Sequence, residues 1–272
     1  MLCFVFSSLF LFILSVKSFQ TSSSSLPNQI LLPSPNTLFP SSHDYFISKV
    51  EDSKDLASIS ELCVDSFSDE NILRNKKSNP FIRLQLNKLI QIQYNELSSR
   101  YNTMRILQST SSSQDLSHTC AILKALGTNH STPISEEIIG TVELIPHELD
   151  LPLLLDINPS FFSRLPLSSS SFNGKIKLPK IANLAVQRKH RKKGIGSALI
   201  QSCMQLAMER GCNYIVLYVE VENISARSLY KSLGFTEMYI DRTEKRYQIA
   251  NGGLTLRLET ASKVLMMKCI SE

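Results

Sequence analysis

The pattern of apolar positions predicts a folded part that begins near Tyr45. Tyr45–Val50 reads as a short strand. Leu56, Ile59, Leu62 and Cys63 then recur at helical spacing, with Ser53 placed to cap that helix. A second helix follows Pro80, whose fixed φ suits a first helical position. Its apolar face takes in Ile82, Leu86, Leu89, Ile90 and Leu97. Thr119–Leu126 and Ile138–Leu144 read as strands, separated by turn-rich sequence from Gly127 to Pro133. Ser/Thr runs at Ser109–Ser113 and Ser168–Ser171 read as surface loops or insertions.

From Leu178 the pattern sharpens. Ile181–Val186 is a strand, Gln187–Gly196 a basic turn containing glycine, and a helix follows to Arg210. Ile195, Leu199, Cys203, Leu206 and Ala207 form its inward stripe, and Gly211 ends it. Tyr214–Val221 is the next strand, Ser225–Leu233 a short helix stopped by Gly234, and Lys263–Ile270 the closing strand. Helices between strands make the class α/β or α+β, with a mixed sheet in a single domain.

The chain of 272 residues is 43% hydrophobic and 19% charged, enough apolar material for a sizeable core. A net charge of +5 suits an anionic ligand without calling for nucleic acid. The six cysteines, Cys3, Cys63, Cys120, Cys203, Cys212 and Cys269, include no C-x-x-C pair, so neither a metal site nor a disulfide scaffold is indicated.

The front of the chain differs from the rest. Leu2–Val16 is a nearly unbroken apolar run, shorter than the roughly 20 residues that span a bilayer. It fits the h-region of a signal peptide over residues 1–18. Residues 19–42 start Phe19-Gln20-Thr21, continue into serines, and contain no Asp or Glu; this is a transit-like, disordered composition. Together the two parts resemble the bipartite presequence of algae with complex plastids. Plastid import is the expectation, with secretion or an endomembrane lumen as the alternative. The domain then occupies residues 43–272, with no membrane segment in the mature form.

Candidate chemistry concentrates in Arg191-Lys192-Lys193-Gly194-Ile195-Gly196, between a strand and a helix. A helix N-terminus exposes up to about four unpaired N–H groups and roughly half a positive charge. Gly194 and Gly196 let a ligand approach the backbone without a Cβ in the way. These features make a pyrophosphate cradle, and Arg188, Lys189, Arg191, Lys192 and Lys193 add charge for further phosphates. The order is not that of a P-loop. A Rossmann fingerprint would need a third glycine, and Ala198 comes too early to replace it. Alone, the basic run also fits a solvated face, a nuclear-localisation patch or an RNA contact. A second stretch runs from Asn223 to Phe235, where Ala226 and Tyr230 share one helix face. Alone, Tyr230 reads as a packed helix tyrosine and His190 as an exposed turn residue.

Taken together and in this order, the two stretches resemble the GNAT superfamily of N-acetyltransferases. Arg191-x-x-Gly194-x-Gly196 is similar to its acyl-CoA signature, and Asn223, Ala226, Tyr230 and Gly234-Phe235 to its second motif. The likeness is strong over Ile181–Tyr239 and loose over Tyr45–Leu144. It implies a mixed, mainly antiparallel sheet flanked by helices and splayed between its fourth and fifth strands, with acetyl-CoA in the gap and no metal. The backbone of Leu184, Ala185 and Val186 would pair with the pantetheine arm. Arg191 and the amides of Lys192, Lys193, Gly194, Ile195, Gly196 and Ser197 would hold the pyrophosphate, Asn223 the pantetheine. A backbone N–H near Val186 would be the oxyanion donor, and Tyr230 would protonate the leaving thiolate.

The base departs from the family's pattern. The strand-four glutamate is Asn183 here, and the residue five before the motif asparagine is Tyr218. Tyr218, Glu220 and Glu222 alternate onto one strand face, which makes Tyr218 or Glu220, acting through water, the candidates, with Glu143 a third. The implied reaction is direct attack by a primary amine on acetyl-CoA. The acceptor would be a protein or peptide, through its N-terminus or a lysine, and not nucleic acid. A small-amine acetyltransferase and a non-catalytic acyl-CoA-binding module are the alternatives. The segment from Pro146 to Leu178 is the candidate substrate groove.

Overall fold

A computed structural model describes residues 45–110, 120–127, 137–150, 152 and 174–271. The presequence reading and the loops read at 111–113, 128–133 and 168–171 lie outside these residues.

In chain order the elements are β1 (Tyr45–Lys49), α1 (Asp55–Phe67), α2 (Glu70–Asn75), α3 (Pro80–Thr110), β2 (Ala121–Gly127), β3 (Ile138–Asp150) and β4 (Lys175–Val186). They continue with α4 (Ile195–Glu209), β5 (Tyr214–Glu220), α5 (Ile224–Ser232), β6 (Thr236–Asp241), β7 (Lys245–Ala250), β8 (Thr255–Thr260) and β9 (Lys263–Cys269). Seven strands form one sheet in the order β1-β2-β3-β4-β5-β9-β6, and β7 and β8 form a separate hairpin. Every neighbouring pair in the large sheet is antiparallel except β4 with β5. The alternation of elements predicts the mixed sheet, and the family resemblance implies its mainly antiparallel order with flanking helices.

Each face of the sheet is covered by a helical stripe that is legible in the sequence. Ile195, Leu199, Cys203, Leu206 and Ala207 of α4 pack on Leu123, Val142, Leu144, Ile181, Ile215 and Leu217. On the other face, Leu56, Ile59, Leu62 and Cys63 of α1 and Leu97, Tyr101 and Met104 of α3 cover Ile122, Leu126 and Ile138. Burying one such Leu or Ile contributes about 1.5–3 kcal/mol, so these stripes dominate the packing. The C-terminus of α4 closes with Gly211 at φ 72°: its N–H bonds Met208 O at 2.8 Å and that of Cys212 bonds Ala207 O at 3.0 Å.

Several local expectations need correction. Ser53 does not cap α1 with its side chain: Lys54 is the N-cap, and Asp52 Oδ1 accepts the Lys54 N–H at 2.9 Å. Ser109 is helical because α3 continues for 31 residues to Thr110. The ladder of β3 and β4 extends well past Leu144, pairing Pro146–Asp150 with Lys175–Pro179. Both ends of the supposed groove insertion are therefore strand. The short α2 and strands β6, β7 and β8 carried no pattern that the sequence reading used.

At Gly140 on β3, α4 packs tightly against the sheet. A Cβ there would lie 3.1 Å from both Ile195 Cγ2 and Leu199 Cδ1. Gly140→Val should overpack this contact at a cost of about 1–3 kcal/mol, measured as a lower denaturant midpoint. An unchanged midpoint would show that α4 does not rest on β3.

Candidate active site

The parallel pair β4–β5 is joined only at Lys180–Val216 and Ile181–Leu217. Beyond these pairs the strands part. Being parallel, they end on the same side, and ligands of such sheets bind outside the carboxyl ends of parallel strands. From Val186 the chain turns into α4, and from Glu220 it turns into α5, so both helices start at the mouth of the split. The start of α4 lies beside α5: a Cβ on Gly196 would lie 3.6 Å from Leu229 Cδ2 of α5 and 4.0 Å from Val186 Cγ2. The two sequence motifs thus line one cleft.

The turn ahead of α4 is shaped by two left-handed residues, Lys192 at φ 61° and Gly194 at φ 81°. Nothing lies within 4 Å of a Cβ built on Gly194, so its backbone angle, and not crowding, requires glycine. No side chain caps α4. Its first-turn N–H groups stay open, at the positive end of the helix dipole. That is the chemistry of an anion cradle.

The basic residues divide their work. Arg191 donates from Nε to Val186 O at 3.1 Å and from Nη2 to Ser66 O at 3.3 Å. Arg188 donates to Asp65 O at 3.2 Å and Ser68 O at 2.9 Å. Both bolt the turn to the carbonyl end of α1, where cations are favoured. Lys189 pairs with Glu137 at 2.8 Å. The expectation that all five cations reach for phosphates therefore narrows to Lys192 and Lys193, both exposed and in no ion pair with a described carboxylate. His190, expected exposed, is half-buried.

Beside the cradle, β4 carries a bulge. The register steps from Thr141↔Ala185 to Glu143↔Ala182, with Asn183 at φ 49°. A bulge takes residues out of the ladder, here Asn183 and Leu184. Of the three residues expected to pair with a pantetheine arm, Ala185 already pairs with Thr141, and Val186 O accepts from Arg191 and, at 3.4 Å, from Ser66 Oγ. Asn223 is the N-cap of α5, its Oδ1 accepting the Ala226 N–H at 3.1 Å. Its amide nitrogen has no partner among the described residues. Tyr230 is 7% exposed, edge-on to Phe235 at 6.0 Å, and burial pushes its hydroxyl up to about 12.

The candidate bases fare differently. Glu143 is 1% exposed; its carboxylate pairs with Arg100 Nε at 2.7 Å and accepts from Asn183 Nδ2. Glu220 is held by Arg246 of β7 at 2.5 Å. Glu222 lies past the end of β5 and is exposed. Both inward carboxylates are therefore committed to guanidinium groups rather than standing free. Tyr218 packs against Val216, Leu265 and Met267, and burial and a hydrogen bond with Tyr239 raise its pKa far above the usual phenol. Sequence reasoning missed His147 of β3, whose Nε2 lies 3.4 Å from the Tyr218 hydroxyl. Among the described residues no cluster of His, Cys, Asp and Glu could hold a metal ion.

A family model described as the acetyltransferase (GNAT) family matches residues 103–235. Those residues carry a GNAT acetyltransferase domain. Over 79 residues, 29% of this chain and 28% of the relative, it is 42% identical to N-alpha-acetyltransferase 30 of Xenopus laevis. Over 60 residues, 22% of this chain and 21% of the relative, it is 38% identical to the chloroplastic GCN5-related N-acetyltransferase 4 of Arabidopsis thaliana. These matches span less than a third of either relative. Among solved structures, Arabidopsis thaliana NAA60 in complex with acetyl-CoA matches at TM-score 0.47 and 19% identity, covering 83% of this chain and 98% of that one.

The GNAT cleft makes a direct prediction at Gly196. Alanine should be tolerated, because its Cβ meets only ordinary contacts, whereas Gly196→Glu should abolish acetyl-CoA binding by placing an anion in the cradle. Calorimetric titration with acetyl-CoA decides it, and retained affinity in Gly196→Glu would remove the pyrophosphate from this turn.

Proposed function

We propose that the protein is an acetyl-CoA-dependent N-acetyltransferase that passes the acetyl group directly to a primary amine of a protein or peptide. The observation that carries this reading is the parallel split itself, with the uncapped start of α4 at its mouth. A thioester arm with amide groups fits a gap between parted strands, and a pyrophosphate fits an open helix start. The likeness to N-alpha-acetyltransferase 30 supports an α-amine acceptor over a small metabolite.

In this reading the amides from Lys192 to Ser197 hold the pyrophosphate, with Lys192 and Lys193 near the further phosphates. Leu184 at the bulge and the Asn223 amide hold the pantetheine arm. The amine attacks the thioester carbonyl, and a backbone N–H near Val186 steadies the oxyanion. Tyr230 lies on the α5 face that borders the sulfur. Its hydroxyl at about 12 is protonated at any physiological pH. A thiol of about 8.5 does not strip it, so Tyr230 stabilises the departing thiolate chiefly as a hydrogen-bond donor. No metal takes part in this scheme.

We also read residues 1–42 as a plastid presequence. The chloroplastic relative supports that placement. No described helix is long and apolar enough to cross a membrane.

Incubating the chain lacking residues 1–42 with acetyl-CoA and a mixed set of peptides and small amines tests the reading, through thiol release and product mass. Peptide acetylation is the expected result. Turnover with small amines alone would move the function to metabolism, and binding without turnover would make the domain a non-catalytic module. Tyr230→Phe should lower kcat at least about tenfold with little change in acetyl-CoA affinity; an unchanged rate would remove Tyr230 from the reaction.

A further inference from the structure

Direct attack leaves a proton on the acceptor nitrogen, and three carboxylates on or next to these strands are already paired. Glu143 is tied to Arg100, Glu220 to Arg246, and Glu244, which follows β6, to Lys263 at 3.1 Å. Close to the joined pairs of β4 and β5 lies a row of neutral rings from three strands. The Tyr218 hydroxyl of β5 lies 3.4 Å from His147 Nε2 of β3 and 3.3 Å from the Tyr239 hydroxyl of β6. The His147 and Tyr218 rings meet edge to face, centroids 5.4 Å apart at 86°.

We propose that Tyr218 and His147 form the proton relay of the transfer: the acceptor nitrogen gives its proton to the Tyr218 oxygen while Tyr218 hands its own to His147 Nε2. This rests on the acetyltransferase reading above. The N–H electron pair stays on nitrogen as the amide forms, the C–S bond breaks, and the coenzyme leaves as thiolate. The imidazolium then loses its proton to solvent. His147 must carry its resting proton on Nδ1, which leaves Nε2 to accept. Tyr239 fixes the phenol between its two partners. His147 touches Tyr218 and not the substrate, so it is a positioning residue for that phenol.

The surroundings suit these roles. Burial, then the positive charge of Lys180, pushes His147 down to about 4, against smaller opposing effects of Glu244 and Glu148. Its usual value is about 6.5, so across the physiological range the imidazole is neutral with Nε2 open; as a weak base it holds the relayed proton only until solvent takes it. The groups facing it are Lys180 of β4, Tyr218 of β5, Glu148 of its own strand, and Glu244 beyond β6. Lys180 lies 5.7 Å from the Tyr218 ring centroid, and burial lowers its own pKa. Tyr218, held far above its usual value, does not ionise and works only by passing a proton along. Hydrogen bonds of 3.3–3.4 Å are long, as relay contacts commonly are before substrate tightens them.

The test compares wild type, His147→Gln, Tyr218→Phe and the double variant, with a peptide acceptor from about pH 6 to about pH 9.5, bracketing an α-amine of about 7.7–8.0. Each single variant should lose at least about tenfold in kcat with KM for acetyl-CoA unchanged, and the double should be no worse than the singles. The deficit should shrink as pH rises and the amine arrives deprotonated, and added imidazole should restore part of the His147→Gln rate. Wild type should show no inflection near pH 6.5. An unchanged kcat in His147→Gln would overturn the relay, as would a pH-independent, additive loss without imidazole rescue. Thermal melts identify any variant that has simply unfolded; for such a case His147→Asn is read in its place. If wild type transfers acetyl to no amine, the acetyltransferase reading fails; if it does and the variants match it, the relay alone fails.

Discussion

Everything at the candidate site depends on how little of β4 and β5 is joined. A parallel pair that could run the length of both strands is held at Lys180–Val216 and Ile181–Leu217 and then opens. Parting strands leaves backbone donors and acceptors without ladder partners, which a protein interior does not tolerate for long. A ligand with amides of its own can supply them. The split is stable because each side is held elsewhere. β4 is clamped along β3 from Asp150 to Gly140, and β5 along β9 from Tyr214 to Glu220.

The cradle depends on the same division. α4 is pinned against β3 at Gly140, so its open N-terminus cannot retreat from the cleft. The turn that leads into it is tied to α1 by Arg188 and Arg191. A helix start used for anion binding must keep its N–H groups unpaired, so its position has to be fixed from outside. Here the fixing comes from apolar packing below and from two guanidinium groups on the carbonyl end of a neighbouring helix. The same basic run therefore both builds the turn and charges it, a separation that charge counting along the sequence does not show.

Much of this was legible from local pattern. The stripes of α1 and α4 and the Gly211 stop of α4 each follow from a few neighbouring residues. What was not legible depends on residues far apart in the chain. Glu220 looks like a free strand carboxylate until Arg246, 26 positions later, is brought against it. His147 and Tyr218 are 71 positions apart. The bulge at Asn183 is a matter of register between strands, which hydrophobic alternation does not encode. β6, β7 and β8 are half-exposed and offer little apolar periodicity.

The β7–β8 hairpin ties these omissions together. Ile249 and Leu256 of the hairpin join Val64 of α1 and Ile82 and Leu86 of α3 in one apolar cluster. Gln85 Nε2 donates to Leu254 O at 3.0 Å, and a side chain at Gly253 would collide with Ile82. Docked this way, the hairpin carries Arg246 onto Glu220 at the end of β5. Glu220, a candidate base by its place on β5, is thereby engaged in holding the hairpin down. Arg100 of α3 does the same to Glu143 from the other side. With these two carboxylates paired, the proposed transfer passes its proton through the neutral Tyr218 and His147, with Tyr239 bonded to the same phenol.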